Sequence, residues 1–159
     1  YYSLNKVIMN SASAKQESLN MAPTNYRFED KVIPAQQVFI ARRHVYAMVH
    51  SKPQVPGHVL VCPSRVVQHL KDMTELETLD LFICAKEIAK TFEDKFNVKS
   101  YSLILQDGSN AGQTTKHVHL HIIPRDQGLG GPQILSLNEE NRYDRSMNEM
   151  AEEAEQYRQ

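Results

Sequence analysis

Three histidines recur at two-residue spacing in residues 117–123, which read His-Val-His-Leu-His-Ile-Ile. Strict alternation with apolar residues predicts a β-strand, in which side chains at i, i+2 and i+4 share one face. Such a strand would present three imidazoles in a row, with about 7 Å between successive Cα atoms. Because a buried strand face normally carries Val or Ile, three titratable rings there indicate a chemical role.

A fourth histidine is placed by a turn. His58 follows Pro56 and Gly57, which suit the two central positions of a type II turn because Gly takes the positive φ there. His58 also opens an apolar segment, residues 58–62, that predicts a strand. A rigid turn leading into a strand fixes an imidazole in space, so we expect His58 to act with the histidine run.

A long loop at residues 107–115 precedes the histidine run and exceeds the usual two to five residues of a hairpin loop. Gly108 and Gly112 let its backbone approach a ligand closely and offer N–H groups to an anion. Amide and hydroxyl groups lie in or beside this loop, at Gln106, Gln113, Thr114 and Thr115. This composition favours phosphate binding.

Three interpretations of the histidines follow from these residues. The rings could be structural and satisfied by hydrogen bonds, or they could ligate zinc, since alternate strand positions suit facial ligation. In the third interpretation, one ring attacks phosphorus while its neighbours donate to phosphate oxygens. Few carboxylates lie near the histidine segments, and Lys116 and Arg125 suit an anion better than a metal. We therefore favour the nucleophile and expect no protein metal site.

Composition limits the partners and the compartment. The chain has 159 residues, enough for one domain with a core, and a net charge of −1. That charge argues against nucleic acid and an anionic membrane as partners. Cys62 and Cys84 lie in apolar segments without a Cys-x-x-Cys motif, so we expect free thiols in a reducing compartment. The expected location is the cytoplasm, with the nucleus as a second compartment.

The hydrophobic pattern predicts the element order β-β-β-α-β-β-α, which is typical of an α+β fold around an antiparallel sheet. The predicted strands are residues 38–41, 45–49, 58–62, 100–106 and 116–123.

Two capping boxes predict where the helices begin. Thr74-x-x-Glu77 opens a long helix, and Ser146-x-x-Glu149 opens a C-terminal one. The long helix is expected to bury one apolar stripe, formed by Leu79, Phe82, Ala85, Ala89, Phe92 and Phe96.

Specific motifs resemble a known superfamily. Residues 117–123 resemble the His-x-His-x-His-x-x signature of the histidine triad (HIT) proteins, and residues 55–63 resemble their Pro-Gly-His segment. Residues 106–108 (Gln-Asp-Gly) and 111–119 are similar to the Fhit branch, the dinucleoside triphosphate hydrolases. The similarity covers about residues 26–126 closely and the last helix loosely.

The resemblance implies hydrolysis of diadenosine triphosphate and related dinucleoside polyphosphates, through a covalent AMP-histidine intermediate, to AMP and a nucleoside diphosphate. His119 would be the nucleophile, and His58, His117 and His121 would surround the phosphates. Further substrate contacts are implied for Phe28 at the base and for Gln106, Gly112, Gln113, Thr114 and Thr115 at the phosphates. The resemblance also implies a HIT-like fold, a homodimer that extends the sheet, no protein-bound cofactor, and a divalent cation (Mg or Mn) that accompanies the substrate.

Two positions depart from the Fhit pattern. His50 stands where these proteins usually carry an Asn that bonds the ribose, so we expect altered affinity with activity retained. The second departure is a loop after Arg125 that is shorter than usual in this branch. The tyrosine found there in animal Fhit proteins has no clear counterpart, because Leu137 sits near that place and Tyr143 matches the position poorly.

Two alternative functions remain open from the sequence. One is a Hint-type nucleoside phosphoramidase of the same superfamily, and the other is a nucleotide-binding signalling module with slow turnover. The expected organisation is a disordered tail or added extension at residues 1–25, a HIT domain at 26–132, and a loop with a C-terminal helix at 133–159.

Overall fold

The computed structural model describes residues 25–125, 137 and 139–158. The expected N-terminal tail, apart from its last residue, and the glycine-containing stretch at 127–132 lie outside the described residues. Within that part of the chain the strands are β1 (Asn25–Phe28), β2 (Lys31–Pro34), β3 (Val38–Ala41), β4 (Val45–Val49), β5 (Val59–Pro63), β6 (Tyr101–Leu105) and β7 (Leu120–Pro124). The helices are α1 (Glu75–Phe96) and α2 (Met147–Arg158). Neither described helix is long and apolar enough to cross a membrane.

Five strands form one antiparallel sheet in the order β3-β4-β5-β7-β6. The predicted α+β architecture is therefore confirmed. The histidine strand β7 lies between β5 and β6, with His121 opposite Leu60 on one side and Ile104 on the other. This register brings the segment after the Pro-Gly turn next to the histidine run.

The two faces of the sheet carry different side chains. Val59 and Val61 pack with α1 in the main core, whereas Leu60 and Cys62 belong to a second buried cluster with the β1–β2 hairpin. Because side chains alternate along a strand, His121, paired with Leu60, lies on the hairpin side of the sheet. The fold thus keeps the titratable rings away from the apolar core under α1.

The start of α1 is as predicted, but its buried face is not. Thr74 and Glu77 form the reciprocal hydrogen bonds of a capping box. Of the predicted apolar stripe, Leu79, Phe82 and Phe96 are exposed. The buried positions of α1 are Glu77, Leu81, Cys84, Ala85, Ile88 and Phe92. Two apolar stripes lie on this helix, and the docking angle on the sheet, which periodicity does not contain, decides which one is buried.

The hairpin of β1 and β2 is an element that the sequence did not predict. Its turn places Glu29 at φ 60, a left-handed conformation that is uncommon for a residue with a Cβ. Glu-Asp at this turn is not one of the Gly- or Asn-containing signatures that mark hairpins. Tertiary contacts therefore determine the turn, including one to the histidine run described below.

The regular part of the histidine strand is shorter than predicted. Sheet pairing begins at Leu120, so His117 and His119 precede the strand. In this stretch the N–H of Val118 donates to Val67 O at 2.7 Å instead of to a strand. All three rings are nevertheless buried, as the alternating pattern predicted.

Candidate active site

A cavity of about 1090 Å³ opens on the hairpin side of the sheet. Its size suits a substrate larger than a single small metabolite. Eight of the residues predicted as site residues line it, namely Phe28, His50, Gln106, Gly112, Thr114, Thr115, His119 and His121. His58, His117 and Gln113 are not among the lining residues.

His119 has one ring nitrogen free for chemistry. Its Nδ1 lies 2.7 Å from the carbonyl oxygen of His117, which can only accept, so Nδ1 carries the proton. Nε2 then keeps its lone pair, and no partner is found for it among the described residues. The ring is 6% exposed and packs edge-on against Phe28, with centroids 5.3 Å apart. His119 is therefore an oriented, neutral imidazole at the cavity wall, with its Nε2 unprotonated.

The hydrogen-bond partners of His58 fix the proton positions of His121. The backbone N–H of Gln54 donates to His58 Nδ1 at 3.0 Å, which leaves the proton of His58 on Nε2. That Nε2 lies 3.0 Å from His121 Nδ1, so it donates there and His121 carries its own proton on Nε2. The backbone N–H of Gln54 therefore determines, through His58, that the Nε2 of His121 carries a proton. Because His121 lines the cavity, this N–H is a donor at the cavity wall.

His117 is enclosed by backbone atoms. The N–H of Glu29 donates to its Nδ1 at 3.2 Å, and its Nε2–H donates to Pro63 O at 3.0 Å. Both ring nitrogens are used and the residue is fully buried. This differs from the expectation that His117 and His58 surround the phosphates, because neither ring has a nitrogen left for a ligand. The carbonyl of His117 accepts from His119 Nδ1 and the Nε2 of His58 donates to His121 Nδ1, so each contacts a ring that lines the cavity.

Burial keeps these rings neutral. It lowers the pKa of His121 to about 2, of His117 to about 4 and of His50 to about 3, with the charge of Arg142 adding to the effect at His121 and His50. Burial also lowers the pKa of His119, whereas the hydrogen bond that its ring donates to His117 O raises it. Burial is the largest cause of the low pKa of His58 as well. A neutral His119 keeps the lone pair that a nucleophile needs.

One glutamine side chain connects the loop at residues 107–115 through two hydrogen bonds. Gln113 Oε1 accepts from the N–H of Gly108 at 2.8 Å, and Gln113 Nε2 donates to Gln68 O at 2.9 Å. Both ends of the Gln113 amide are therefore hydrogen-bonded within the protein, and the contact with phosphate that the resemblance implies for this residue stays a prediction. Gly112, at φ 87, faces the Gln106 amide so closely that an added Cβ would lie 2.5 Å from Gln106 Nε2.

His50 joins the site to the C-terminal segment. Lys52 N donates to its Nδ1 at 3.0 Å, and its Nε2 lies 3.3 Å from Glu139 Oε1. Arg145 donates to the carbonyl oxygen of His50 and pairs with Glu153 on α2. The residue that departs from the Fhit pattern, His50, therefore has an acidic partner in this structure, Glu139.

Three of these imidazoles could share a cation. His50, His58 and His121 place nitrogen atoms within 4.8 Å of one another. Hydrogen bonds already use the Nδ1 of His50, both nitrogens of His58 and the Nδ1 of His121, and the Nε2 of His50 lies 3.3 Å from Glu139 Oε1. The arrangement is therefore that of a proton-linked network.

Several cavity residues were not predicted from the sequence. They lie on the hairpin strand β2, on the turn before β3, and on the C-terminal segment, and they include Val32, Ile33, Gln37, Leu137, Glu139 and Met147. Met147 belongs to the apolar stripe predicted for the last helix, but nothing in that stripe shows that it faces the cavity. Leu137 does line the site, whereas Tyr143 is 68% exposed and is not among the lining residues.

Comparison with known proteins gives this arrangement a family. The HIT domain family matches residues 31–128. That span holds the Pro-Gly-His turn, the loop at 107–115 and the three alternating histidines. The chain belongs to the HIT family, in its Fhit branch. The branch follows from two curated relatives and one solved structure.

The first relative, from Arabidopsis thaliana, is named bifunctional bis(5'-adenosyl)-triphosphatase/adenylylsulfatase FHIT; it is 38% identical over 169 residues, covering 96% of this chain and 93% of that protein. The second, from Dictyostelium discoideum, is named bis(5'-adenosyl)-triphosphatase; it is 40% identical over 137 residues, covering 85% of this chain and 92% of that protein. The crystal structure of the Caenorhabditis elegans NitFhit protein superposes with a TM-score of 0.74 at 42% identity, over 86% of this chain and 30% of that one.

Family membership covers the site unevenly. The HIT match includes both histidine segments and the loop at residues 107–115, but it begins after Phe28 and ends before α2. Phe28, Met147 and Met150 nevertheless line the same cavity. Elements outside the family match therefore complete one end of the HIT site.

Proposed function

We propose that this chain hydrolyses diadenosine triphosphate and related dinucleoside polyphosphates to AMP and a nucleoside diphosphate. The observation that carries the proposal is the unprotonated Nε2 of His119, held by the backbone at the wall of a cavity lined with N–H and O–H donors. The names of the Arabidopsis and Dictyostelium relatives both include bis(5'-adenosyl)-triphosphatase, which supports the proposal.

In the first step, His119 Nε2 attacks the α-phosphorus in line with the bridging oxygen that leaves. A P–N bond forms, the P–O bond to the nucleoside diphosphate breaks, and AMP remains on the ring. The ring becomes cationic, and the carbonyl of His117, 2.7 Å from Nδ1, stabilises that charge as it develops. In the second step, water attacks the same phosphorus and releases a proton to solvent, the P–N bond breaks with its electron pair returning to Nε2, and AMP leaves a neutral His119.

The phosphate oxygens would be bound by neutral donors. His121 offers its Nε2–H, and the loop at residues 107–115 offers backbone N–H groups together with the hydroxyls of Thr114 and Thr115. We propose that a divalent cation, Mg or Mn, accompanies the polyphosphate and is not held by the protein. The network among His50, His58 and His121 supports this, since hydrogen bonds use four of its six ring nitrogens and the Nε2 of His50 faces Glu139 at 3.3 Å.

The direct test is to trap the intermediate. The protein is mixed briefly with diadenosine triphosphate, denatured without acid, digested and analysed by mass spectrometry. We expect an adduct of about 329 Da, the mass of AMP less water, on the peptide that contains His119. Hydrolysis that requires zinc and never gives an adduct would favour a metal hydrolase. Tight binding with neither adduct nor products would favour a nucleotide-binding module.

Gly112→Ala is expected to raise KM for diadenosine triphosphate by about tenfold. The new Cβ would lie 2.5 Å from Gln106 Nε2 and would also force alanine into a left-handed φ of 87. Steady-state kinetics measures the effect. Gly108→Ala is the matched control, because Gly108 has a similar φ of 90 but nothing within 4 Å of an added Cβ. Equal effects of the two substitutions would show that backbone strain, and not displacement of Gln106, is responsible.

We also propose a homodimer that extends the sheet, in a reducing compartment such as the cytoplasm or nucleus. Strand β6 is an edge of the described sheet, and edge strands offer unpaired backbone groups to a second chain. Leu103 on β6 is 50% exposed, and Leu79 and Phe82 form an exposed apolar surface on α1. Free, buried Cys62 and Cys84 support the compartment.

Leu103→Lys is expected to weaken the dimer by tenfold or more, on the order of 1.4 kcal/mol of association free energy. Light scattering after size exclusion should give twice 18.2 kDa for the unmodified chain and a concentration-dependent lower mass for the variant. Val66→Lys is the control, since Val66 is 45% exposed and belongs to neither β6 nor α1. A monomeric unmodified chain would overturn the proposal.

A further inference from the structure

The apolar end of the cavity contains one buried amide. Gln37 is the last residue of the single helical turn Ala35–Gln37 that leads into β3, and it lines the cavity while being only 5% exposed. Its surroundings in the lining are mostly apolar, and they include Ile33, Pro34, Met48, Met147 and Met150. Glutamine is rarely buried without a hydrogen-bond partner, so its presence at this position needs a reason.

The amide of Gln37 is poorly satisfied by the protein. In the described part of the chain its one hydrogen bond runs from Nε2 to the sulfur of Met147 at 3.0 Å, and a thioether is a weak acceptor. Its carbonyl oxygen accepts no hydrogen bond there, yet it is not among the atoms sealed from solvent without a partner. One donor and one acceptor therefore remain available side by side at the cavity wall.

Arg158 fixes the backbone that carries this amide. From α2, its Nε donates to Val38 O at 3.0 Å, and one terminal nitrogen donates to Gln36 O at 2.6 Å and to Ala35 O at 3.3 Å. Carbonyl groups on both sides of Gln37 are thus bound by one guanidinium. A side chain that only filled a gap would not need its backbone fixed at three points, whereas a recognition group gains precision from it.

We infer that Gln37 recognises the adenine base of the substrate through the N6-amino group and N7, an inference that rests on the proposed function. Adenine presents a donor and an acceptor side by side on that edge, and an amide is complementary to both. Guanine presents two acceptors there, N7 and O6, so its O6 would face the carbonyl oxygen of Gln37. The apolar lining binds any base face, and Gln37 selects among the bases.

The decisive experiment compares three substrates on three proteins. The substrates are diadenosine triphosphate, its bis(7-deazaadenosine) analogue, which lacks the N7 acceptor, and diguanosine triphosphate. The proteins are the unmodified chain, Gln37→Leu, and the control Gln36→Leu, whose exposed side chain is outside the cavity lining.

The unmodified chain and Gln36→Leu should prefer diadenosine triphosphate over each of the other two by about tenfold to a hundredfold in kcat/KM. In Gln37→Leu this preference should vanish, mainly through KM. Equal kcat/KM of the unmodified chain for the adenosine and 7-deazaadenosine substrates would overturn the inference. If Gln37→Leu lowered kcat/KM equally for all three substrates, the inference would be overturned too, since a structural role of Gln37 predicts that result.

Two further measurements separate this inference from the proposed function and from misfolding. Calorimetric binding of AMP, 7-deaza-AMP and GMP needs no turnover, so a preference for AMP that depends on Gln37 would stand even if the chain hydrolysed nothing. Gln37→Glu keeps the size and polarity of the side chain but replaces the donor to N7 by an acceptor, and it should also lose the preference. Arg158→Gln should reduce the preference while leaving kcat within about twofold, as expected of a positioning residue that does not touch the reacting atoms.

Discussion

His119→Ala is expected to reduce kcat for diadenosine triphosphate hydrolysis by about four orders of magnitude or more, while the substrate Kd changes by less than about tenfold. Without the imidazole there is no P–N intermediate, and the neutral donors of the cavity can only bind the polyphosphate. The measurement is single-turnover product formation with excess enzyme, together with equilibrium binding of a substrate. Retention of even a tenth of the activity would assign the nucleophile to another group.

Two matched variants sharpen that result. His44→Ala removes a histidine outside the cavity lining and should leave kcat unchanged. His121→Ala removes a donor to phosphate and leaves the nucleophile in place, so it should lower kcat less than His119→Ala and still give the covalent adduct. If instead His121→Ala abolished the adduct and His119→Ala did not, the roles of the two rings would be exchanged.

Acid is expected to destabilise the fold strongly, with the free energy of unfolding falling by about 5 kcal/mol between pH 7 and pH 5 from three histidines alone. Burial lowers the pKa of His50 to about 3, of His117 to about 4 and of His121 to about 2. In the unfolded chain each ring returns to its ordinary value of about 6.5. The unfolded state therefore binds more protons below pH 6.5, so stability is full above that pH and falls as the pH drops toward the folded pKa values.

Urea unfolding at pH 7, 6 and 5, followed by far-UV circular dichroism because the chain has no tryptophan, measures this dependence. Since burial is the largest cause of each lowered pKa, repeating the series in 0.5 M salt should leave the slope largely unchanged. A free energy of unfolding that stayed constant from pH 7 to pH 5 would mean that the folded protein accommodates charged rings. A free energy of unfolding that rose as the pH fell would contradict the expected direction of the pH dependence.

Local signals in the sequence predicted several features that the structure shows. The two-residue spacing of the histidines predicted a shared buried location, and the Pro-Gly pair before His58 predicted a turn that the structure shows, with Gly57 at φ 80. Thr74 and Glu77 predicted the start of α1. Each of these features depends on residues only a few positions apart, so the chain carries the whole signal locally.

What each imidazole does was decided by tertiary structure. The proton positions of His117 and His121 follow from contacts with Glu29, Pro63 and His58, which are 88, 54 and 63 residues away in the chain. The pairing of β5 with β7 and the packing of the β1–β2 turn against residue 117 create these contacts, and neither spacing nor composition encodes them. The buried face of α1 and the weakly satisfied amide of Gln37 depend in the same way on how separate elements pack. The sequence by itself determined which reactive groups are present and roughly where they gather, and only the packing decided which of them retains a free lone pair, because hydrogen-bond partners distant in the chain set the protonation state of a buried ring.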